Sequence, residues 1–278
     1  MSLEVLAERL RPLLGDDAVL AHPMERHLYS KDAGLRRSEP GLVVLPTSTE
    51  QVAAVVRAAG ELGIAVVPRG GGSGLTGGAV PSEPAVVVGL TRMDEIHDVD
   101  VEGRTAWVGP GVINLDLSVA TRPLGLHFAP DPSSHSVCTI GGNVANNAGG
   151  PHCLAEGSTV SHILGVEVVL PDGEVVVLGG AAPDLPGLDL RGVVVGSEGT
   201  LGIVTRVLVK LTPNAPDVRT LLFEFDEVRH AADTVSGIIG AGIVPDALEL
   251  MDRKTLEVME AFLHVGLPVD AAAVLLCE

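Results

Sequence analysis

An eleven-residue stretch, Pro68 to Gly78, has the composition of an anion-binding loop. Six of its residues are glycine, and glycine builds no core but lets the backbone come very close to a ligand. Glycines that adopt positive φ angles can turn successive amide groups into one concavity, which forms a nest for an anion. Ser73 and Thr76 add hydroxyl donors, and Arg69 adds the one fixed positive charge. We predict that this stretch, hereafter the glycine loop, cradles a pyrophosphate group.

Three other interpretations of the glycine loop fit its context less well. A flexible linker is disfavoured because the apolar runs Ile64–Val67 and Ala85–Val88 on either side are predicted to be buried strands. Residues 72–77 satisfy the dinucleotide-binding pattern, but that pattern requires a helix to open there. Pro81 follows instead, and the next strand is predicted within a few residues, whereas a parallel crossover needs a dozen or more. A Walker loop would need Lys where Gly78 stands.

Residues 139–150, hereafter the asparagine stretch, are the second unusual segment. Small side chains would let this backbone lie flat against a planar ring system, and side-chain amides both donate and accept hydrogen bonds. That combination matches a ring edge with alternating donors and acceptors, and a tightly packed glycine-rich turn is the alternative. The small residues are Gly141, Gly142, Ala145, Ala148, Gly149 and Gly150, and the amides are Asn143, Asn146 and Asn147.

Length and charge limit what else the chain can do. Its 278 residues, of which 46% are apolar, suffice for one large or two modest domains and argue against disorder. The formal charge of −18 and the aromatic share of 2% argue against a nucleic-acid partner, which would need a basic or stacking surface. Because so acidic a protein repels a phosphate ligand at long range, local amides must bind it.

The cysteines, histidines and N-terminal residues predict a cytoplasmic protein without a metal site. Cys138, Cys153 and Cys277 make no disulfide framework in a chain of this length. Residues 1–10 hold no apolar signal-peptide region, and no apolar run reaches the length of a membrane span. The nine histidines include neither an H-E-x-x-H motif nor a pair four residues apart.

Apolar periodicity predicts the elements that hold these segments. Leucines at helical spacing predict an N-terminal helix, and a strand, a helix and a second strand then lead into the glycine loop. Further on, Asp172-Gly173 predicts a hairpin turn, and a third glycine-rich stretch at residues 193–204 leads into a strand. The predicted helices are Leu3–Leu14, 50–62, Pro110–Ala120, Val228–Ile239 and Arg253–Phe262. The predicted strands are Leu42–Leu45, Ile64–Pro68, Thr91–Asp100, Thr105–Val108, Ile163–Leu170, Val175–Leu178, Thr220–Phe225, Ala247–Met251 and Ala272–Leu276.

Four motifs in a fixed order carry a family resemblance: the glycine loop, Asp131-Pro-Ser-Ser134, the asparagine stretch and residues 196–205, Gly-Ser-Glu-Gly-Thr-Leu-Gly-Ile-Val-Thr. They resemble the FAD-binding domain of the p-cresol methylhydroxylase/vanillyl-alcohol oxidase (PCMH) type. Within that type they are most similar to the flavin subunit of glycolate oxidase and to the D-lactate and D-2-hydroxyacid dehydrogenases. The resemblance covers Pro40–Pro213 and continues weakly at Glu249–Asp252, which is similar to the opening of the family's cap domain.

This resemblance implies an α+β fold with a two-subdomain, PCMH-type FAD-binding domain. The expected division is an N-terminal helix and loop at residues 1–37, the FAD-binding domain at 38–214 and an α+β cap domain at 215–278. A linker is expected at residues 212–216. Because the last predicted strand runs almost to Glu278, we expect the cap domain to be cut short.

The resemblance also implies roles for individual residues. The pyrophosphate would be wrapped by Pro68, Arg69, Gly70, Gly71, Gly72, Ser73, Gly74, Leu75, Thr76, Gly77 and Gly78. The flavin and ribityl groups would be lined by Pro130, Asp131, Pro132, Ser133, Ser134, Thr139, Gly141, Gly142 and Asn143, with Ala145, Asn146 and Gly149 packing nearby. The adenine end would be contacted, or its loop braced, by Glu198, Gly199, Gly202, Ile203 and Val204. The alternative for Glu198 is a structural role, as a helix N-cap or as a brace of its loop.

Departures from the family pattern limit the mechanism. Gly72-Ser73-Gly74 stands where the superfamily often has a histidine that bonds covalently to the flavin, so we predict non-covalent FAD. The His-x-Gly-Asp-Gly-Asn segment of glycolate oxidase relatives is absent, so the catalytic base and any metal site are expected beyond Glu278. His135 and His152 are expected to be local packing residues. Ala155-Glu156 replaces a frequent Lys-Tyr pair.

The function implied is oxidation of a small D-2-hydroxy acid, of the glycolate or D-lactate type, by hydride transfer to flavin N5. An electron-acceptor protein or a completing subunit is the expected partner, with neither nucleic acid nor a membrane span. One alternative is a catalytically incomplete FAD-binding fragment or subunit that needs another chain. Another is an FAD oxidase of a sugar lactone or an aromatic alcohol.

Overall fold

The computed structural model describes residues 2–81, 84–182 and 187–278, which form two compact units. The first unit spans Met1–Ala148 and Thr159–Asn214, and the second spans Gly149–Ser158 and Ala215–Glu278. None of the helices in the described residues is long and apolar enough to cross a membrane.

The elements alternate between helices and short strands. The helices are α1 (Ser2–Leu14), α2 (Pro23–His27), α3 (Thr49–Glu61), α4 (Asn114–Thr121), α5 (Ile140–Asn146), α6 (Cys153–Glu156), α7 (Leu190–Val194), α8 (Val228–Gly240) and α9 (Arg253–Leu263). The strands are β1 (Val19–Leu20), β2 (Leu42–Val44), β3 (Val66–Arg69), β4 (Val86–Gly89), β5 (Ile96–Asp100), β6 (Thr105–Val108), β7 (Leu126–His127), β8 (Ile163–Val169), β9 (Val175–Gly179), β10 (Ile203–Lys210), β11 (Thr212–Pro213), β12 (Leu221–Phe225), β13 (Leu248–Asp252) and β14 (Ala273–Cys277).

A four-stranded sheet with the order β1-β2-β4-β3 holds the glycine loop. Strands β3 and β4, on either side of the loop, pair in parallel. The prediction that the next strand follows too closely for a parallel crossover is therefore wrong, because β3 ends at Arg69 and β4 begins only at Val86, which leaves the dozen or more residues that such a crossover needs. The last residue of β3 is Arg69, so the sheet delivers this side chain to the start of the loop.

Helix α3 forms because its sequence combines a good cap with one apolar face. The Ser48 hydroxyl accepts a hydrogen bond from the Gln51 amide at 3.3 Å, as an N-cap does. Val52, Val56 and Ala59 are buried on the face that packs against the sheet and against α1. This core fixes β2, β3 and β4 beneath the glycine loop.

The second sheet of the first unit has the order β5-β6-β10-β8-β9 and is antiparallel throughout. The predicted hairpin joins β8 and β9, and Gly173 in its turn has φ +80°. One face of this sheet packs under α4 and α5, where Leu117, Ile140 and Val144 are fully buried. Strand β10 begins at Ile203, so it includes the last two residues of the third glycine-rich stretch.

The second unit contains a three-stranded antiparallel sheet, β12-β14-β13, with α8 and α9. Ala231 of α8 and Leu256 of α9 are the buried helix residues, and Val274 and Leu275 are buried in the central strand. The sequence prediction of these strands and helices is confirmed, with bounds that differ by at most one residue. Residues 149–158, the end of the asparagine stretch and helix α6, belong to this unit.

Candidate functional site

A cavity of roughly 320 Å³ in the first unit brings the predicted segments together. The predicted site residues that line it are Pro68, Arg69, Gly70, Gly71, Gly72, Ser73, Gly74, Leu75, Thr76, Gly78, Pro132, Ser134, Thr139, Gly141, Gly142, Asn143, Ala145, Asn146, Glu198, Gly199, Gly202, Ile203 and Val204. Among the described residues, the predicted ones that do not line it are Gly77, Pro130, Asp131, Ser133 and Gly149. Four distant parts of the chain therefore meet at one concave surface.

The glycine loop packs closely against residues 137–139, at the start of the asparagine stretch and just before it. A side chain at Gly70 would collide with the Thr139 hydroxyl, and one at Gly71 would collide with the Val137 carbonyl oxygen. Gly72 has φ +68°, a conformation that other residues rarely adopt. The glycines at these positions are therefore required by packing within the protein.

Arg69 brings a buried positive charge to the cavity wall. The residue is only 9% exposed, and its guanidinium carbon lies 5.5 Å from the centre of the Tyr29 ring. Burial lowers the pKa of Arg69, while nearby Tyr29 and Asp32 oppose that shift. Its Nη1 atom is buried and has no hydrogen-bond acceptor among the described residues. A buried donor of this kind is costly unless a ligand supplies the acceptor.

Asp32 is the main residue of the cavity that the sequence analysis missed. Its carboxylate, 6% exposed, accepts hydrogen bonds from the Gly34 amide at 2.7 Å and from the Gly77 amide at 3.0 Å. The Gly77 amide is thus turned to the N-terminal segment, and Gly77 does not line the cavity. The sequence did offer one clue, since Asp followed two residues later by Gly is typical of an Asx turn.

Residues Ile140–Asn146 of the asparagine stretch form helix α5. This differs from the sequence prediction, in which the backbone of the stretch lies flat against a planar ring. Thr139 caps the helix by accepting a hydrogen bond from the Gly142 amide at 3.3 Å, and Asn147 ends it with φ +45°. Of the three predicted amides, Asn143 and Asn146 line the cavity. The Asn147 side chain instead accepts a hydrogen bond from the Val160 amide at 2.9 Å. Apolar residues of the stretch supply the reason, because a helix buries Ile140 and Val144 against the sheet.

Cys138 lies in the cavity wall just before this helix and is almost fully buried. Burial raises the pKa of the Cys138 thiol, and hydrogen bonding with Ser134 and Asn143 opposes this in part. The thiol is therefore neutral at physiological pH. A neutral, buried thiol is a poor nucleophile.

The third glycine-rich stretch braces the other two. Glu198 has φ +53°, and its amide donates to the Ala145 carbonyl oxygen at 2.8 Å. Its carboxylate lies 3.5 Å from the Thr76 hydroxyl of the glycine loop. Gly199 has φ +73°, and a side chain there would collide with the Pro68 ring. These contacts have the geometry of the loop brace that was one of the two roles predicted for Glu198.

A second cavity of roughly 250 Å³ lies on the other side of the same wall. Four residues line both cavities: Pro68, Gly199, Gly202 and Ile203. Its remaining walls come mainly from apolar residues of α3, β3 and the end of β8: Val56, Ile64, Val66, Val169, Leu170 and Pro171. Among the described residues that line it, Thr200 has the one polar side chain.

Several predicted residues have structural contacts away from the cavity. The Pro130 carbonyl oxygen accepts a hydrogen bond from the buried Asn114 side chain at 2.8 Å. The His135 ring nitrogen lies 3.2 Å from the Pro132 carbonyl oxygen, and His135 does not line the cavity. Gly149 and His152 belong to the second unit, where His152 lies 3.7 Å from the Glu278 carboxylate.

Two family matches agree with this geometry. Residues 40–179 match the FAD binding domain family, and residues 215–278 match the family described as FAD linked oxidases, C-terminal domain. The chain belongs to the FAD-linked oxidases. The predicted family and the predicted α+β class are confirmed, and FAD is the cofactor of this domain.

Two bacterial proteins and one archaeal protein are similar to most of this chain. Over 242 residues the chain is 50% identical to the glycolate oxidase subunit GlcD of Escherichia coli K12, covering 87% of this chain and 48% of that protein. Bacillus subtilis GlcD is 44% identical, with 91% and 54% covered. A D-lactate dehydrogenase of Archaeoglobus fulgidus is 37% identical, with 81% and 50% covered. The chain thus spans about half the length of these relatives.

Solved structures support the fold at lower identity. An alkyldihydroxyacetonephosphate synthase superposes with a TM-score of 0.85 at 22% identity, covering 99% of this chain and 55% of that one. A p-cresol methylhydroxylase with substrate bound gives a TM-score of 0.79 at 20% identity, covering 99% and 60%. At this identity the likeness concerns the fold alone.

Two observations indicate that the residues lining the cavity fit an FAD molecule. The buried Nη1 of Arg69 needs an anionic or polar acceptor, which a diphosphate offers. Gly74 lines the cavity, and a side chain there would meet nothing within 4 Å, so the glycine leaves open space in which a ligand can lie against the backbone. The two carboxylates that line the cavity, those of Asp32 and Glu198, both face groups of the protein.

Proposed function

We propose that this chain binds FAD non-covalently in the cavity of the first unit and takes part in oxidising a small D-2-hydroxy acid of the glycolate or D-lactate type. The observation that carries the proposal is the convergence of the four family motifs around the buried, acceptor-less Nη1 of Arg69. The identity to glycolate oxidase subunits and a D-lactate dehydrogenase supports the substrate class.

The diphosphate of FAD would lie between Arg69 and the amides of residues 70–76. The guanidinium supplies charge-assisted hydrogen bonds, which are about twice as strong as neutral ones. The loop supplies backbone donors without adding basic residues, in keeping with the acidic composition. Ser73, on the lining, would add a hydroxyl donor, whereas the Thr76 hydroxyl donates to the Glu198 carboxylate.

The two ends of FAD would extend from this point in opposite directions. Asn143, Ser134 and Thr139 would face the flavin and ribityl groups, because they are among the polar side chains that line the cavity beyond the glycine loop. Gly199, Gly202 and Ile203 would face the adenine, since they border the second, mainly apolar cavity. A flat heteroaromatic ring suits a narrow apolar slot bordered by backbone amides.

Non-covalent binding is supported by the chemistry of the lining. Among the described lining residues the one nucleophile of the kind that bonds to flavins is Cys138, and burial raises the pKa of its thiol. When bound, FAD supplies the hydride acceptor of the reaction. The chain's own residues bind and orient it, and Pro110, Leu90 and Val194 on the lining exclude water.

A subunit that acts together with another chain is a second candidate, and one observation favours it. Among the described residues that line the cavity there is no histidine, and both carboxylates already face groups of the protein. A base that takes the hydroxyl proton of the substrate would then come from elsewhere. The relatives named glycolate oxidase subunit are themselves parts of an assembly by name.

A cytoplasmic location remains a prediction from the sequence.

The decisive experiment separates cofactor binding from catalysis. The purified chain is titrated with FAD, and bound flavin is followed by its visible spectrum and by its release on acid precipitation. We expect stoichiometric binding and complete release. A protein that stays colourless would overturn the proposal, and flavin retained after precipitation would overturn non-covalent binding.

Substrate is then tested anaerobically with D-lactate, L-lactate, glycolate, a sugar lactone and an aromatic alcohol, with dithionite as the control for a reducible flavin. Bleaching by D-lactate or glycolate supports the first candidate. Reduction by dithionite and by none of the substrates supports the second, and bleaching by the lactone or the alcohol alone contradicts the substrate class.

A further inference from the structure

Residues 31–37, hereafter the strap, form a small hairpin that is attached to the glycine loop. Lys31 and Arg37 close it through an antiparallel bridge. The Ala33 amide donates to the Gly74 carbonyl oxygen at 3.1 Å. The strap therefore contacts the loop directly, although the two segments are far apart in the sequence: Asp32 and Gly77, which also form a hydrogen bond, are 45 positions apart.

Asp32 is the centre of this attachment. One carboxylate oxygen accepts a hydrogen bond from the amide of Gly34 in the strap. The other accepts a hydrogen bond from the amide of Gly77 in the loop. A carboxylate can accept both bonds, whereas an asparagine has one accepting oxygen and an NH₂ group that repels a second amide. Gly34 must be small because a side chain there would lie 2.9 Å from the Leu75 carbonyl oxygen.

The strap also holds the outer side of the loop. The aliphatic part of Arg36 packs on Gly77, where an added side-chain carbon would lie 3.1 Å from Arg36 Cδ. Gly77 has φ +85° and does not line the cavity. The last turn of the loop is thus fixed by the strap, and this leaves residues 70–76 to face the ligand.

We propose that Asp32 is a positioning residue for the cofactor: by tying the Gly77 amide to the strap, it holds the glycine loop in the shape that binds the FAD diphosphate. This inference rests on the proposed function, since it assumes that FAD occupies the cavity. The effect on the ligand is indirect, through the loop's conformation and through the negative charge that Asp32 places near Arg69. The sequence had assigned residues 1–37 to a separate N-terminal segment without a part in the site.

The test compares Asp32→Asn and Asp32→Ala with Asp100→Asn. Asp100 is a matched control because its carboxylate also accepts a glycine amide, that of Gly103 at 2.8 Å, and Asp100 does not line the cavity. FAD affinity is measured by quenching of flavin fluorescence. Amide hydrogen exchange of residues 70–78 is measured by mass spectrometry in protein freed of FAD.

We expect the affinity for FAD to fall about tenfold in Asp32→Asn and further in Asp32→Ala, because a buried carboxylate–amide bond is lost. Exchange in residues 70–78 should accelerate in both variants, while Asp100→Asn matches the unchanged protein. Unaltered exchange and affinity in Asp32→Asn would overturn the inference. If the unchanged chain binds no FAD, the proposed function fails, and the exchange result still decides whether Asp32 fixes the loop. Should Asp32→Ala not fold, Asp32→Asn carries the test.

Discussion

The amide of Glu198 donates to the carbonyl oxygen of Ala145 at 2.8 Å, which joins the third glycine-rich stretch to the end of helix α5. The Gly196 amide makes the same kind of bond to Val144 at 2.9 Å. Carbonyl groups in the last turn of a helix lack a full set of partners within the helix. The Glu198 bond supplies a partner to Ala145, and the Gly196 bond adds to the one that Val144 accepts from the Asn147 amide at 3.3 Å. The stretch that borders both cavities is in this way anchored to the helix that carries Asn143.

Glu198 maintains this contact in a left-handed backbone conformation that disfavours a side chain. Glu198→Gly should therefore be more stable than Glu198→Ala by about 0.5–1 kcal/mol, the left-handed cost less the entropy that glycine loses. Both variants lose the carboxylate, so the difference isolates the backbone. Urea unfolding of the FAD-free protein measures it, and an Ala variant as stable as the Gly variant would contradict the expected strain.

Two glycines of the same loop should respond differently to alanine. Gly71→Ala places a methyl group against the Val137 carbonyl oxygen, whereas Gly74→Ala meets nothing within 4 Å. We expect Gly71→Ala to lower the free energy of unfolding by about 1–3 kcal/mol and Gly74→Ala to change it by less than about 0.5 kcal/mol. Thermal unfolding without FAD checks both. If Gly74→Ala keeps its stability and loses FAD affinity, the cofactor lies against Gly74.

Arg69 should matter more for the ligand than for the fold. Burial lowers the pKa of Arg69, so its charged form is disfavoured in the FAD-free protein. Arg69→Met should leave the free energy of unfolding within about 1 kcal/mol, because relief of the buried charge offsets the lost contact with Tyr29. Its FAD affinity should fall about 10- to 100-fold, the worth of charge-assisted hydrogen bonds.

The control for that prediction is Arg219→Met, since Arg219 is exposed and lies in the second unit. Arg69→Lys keeps the charge but loses the planar fork, and we expect it to bind FAD with intermediate affinity. Equal loss of stability and affinity in Arg69→Met would show that the residue serves the fold and not the ligand.

Cys138 predicts an alkaline loss of stability. Because its pKa is raised in the folded protein, the folded state holds the thiol proton more tightly than the unfolded chain. Its contribution is fully present below the unfolded pKa of about 8.5 and declines as pH rises from there through the folded pKa, by at most about 1.4 kcal/mol per pH unit. Denaturant unfolding between pH 7 and pH 10 should show a shallower decline in Cys138→Ala. Identical slopes in the two proteins would contradict a buried, protonated thiol.

Local sequence determined the elements and the identity of the site segments. The helix with leucines at helical spacing, the Asp-Gly hairpin and the strand–helix–strand unit before the glycine loop depend on neighbours a few residues apart, so pattern and turn chemistry suffice to predict them. The glycine-rich stretches were also visible, because so many glycines have no use in a core.

Tertiary structure decided how those segments meet. Only the parallel pairing of β3 with β4 shows that the chain crosses over between these two strands. Only burial of Ile140 and Val144 accounts for the helix within the asparagine stretch. Asp32 joins the site through an amide 45 positions away, a contact that no local pattern contains. The division into domains at residues 37 and 214 stays a prediction. Local chemistry fixes which residues can serve a site, whereas burial and long-range hydrogen bonds fix which of them face the ligand.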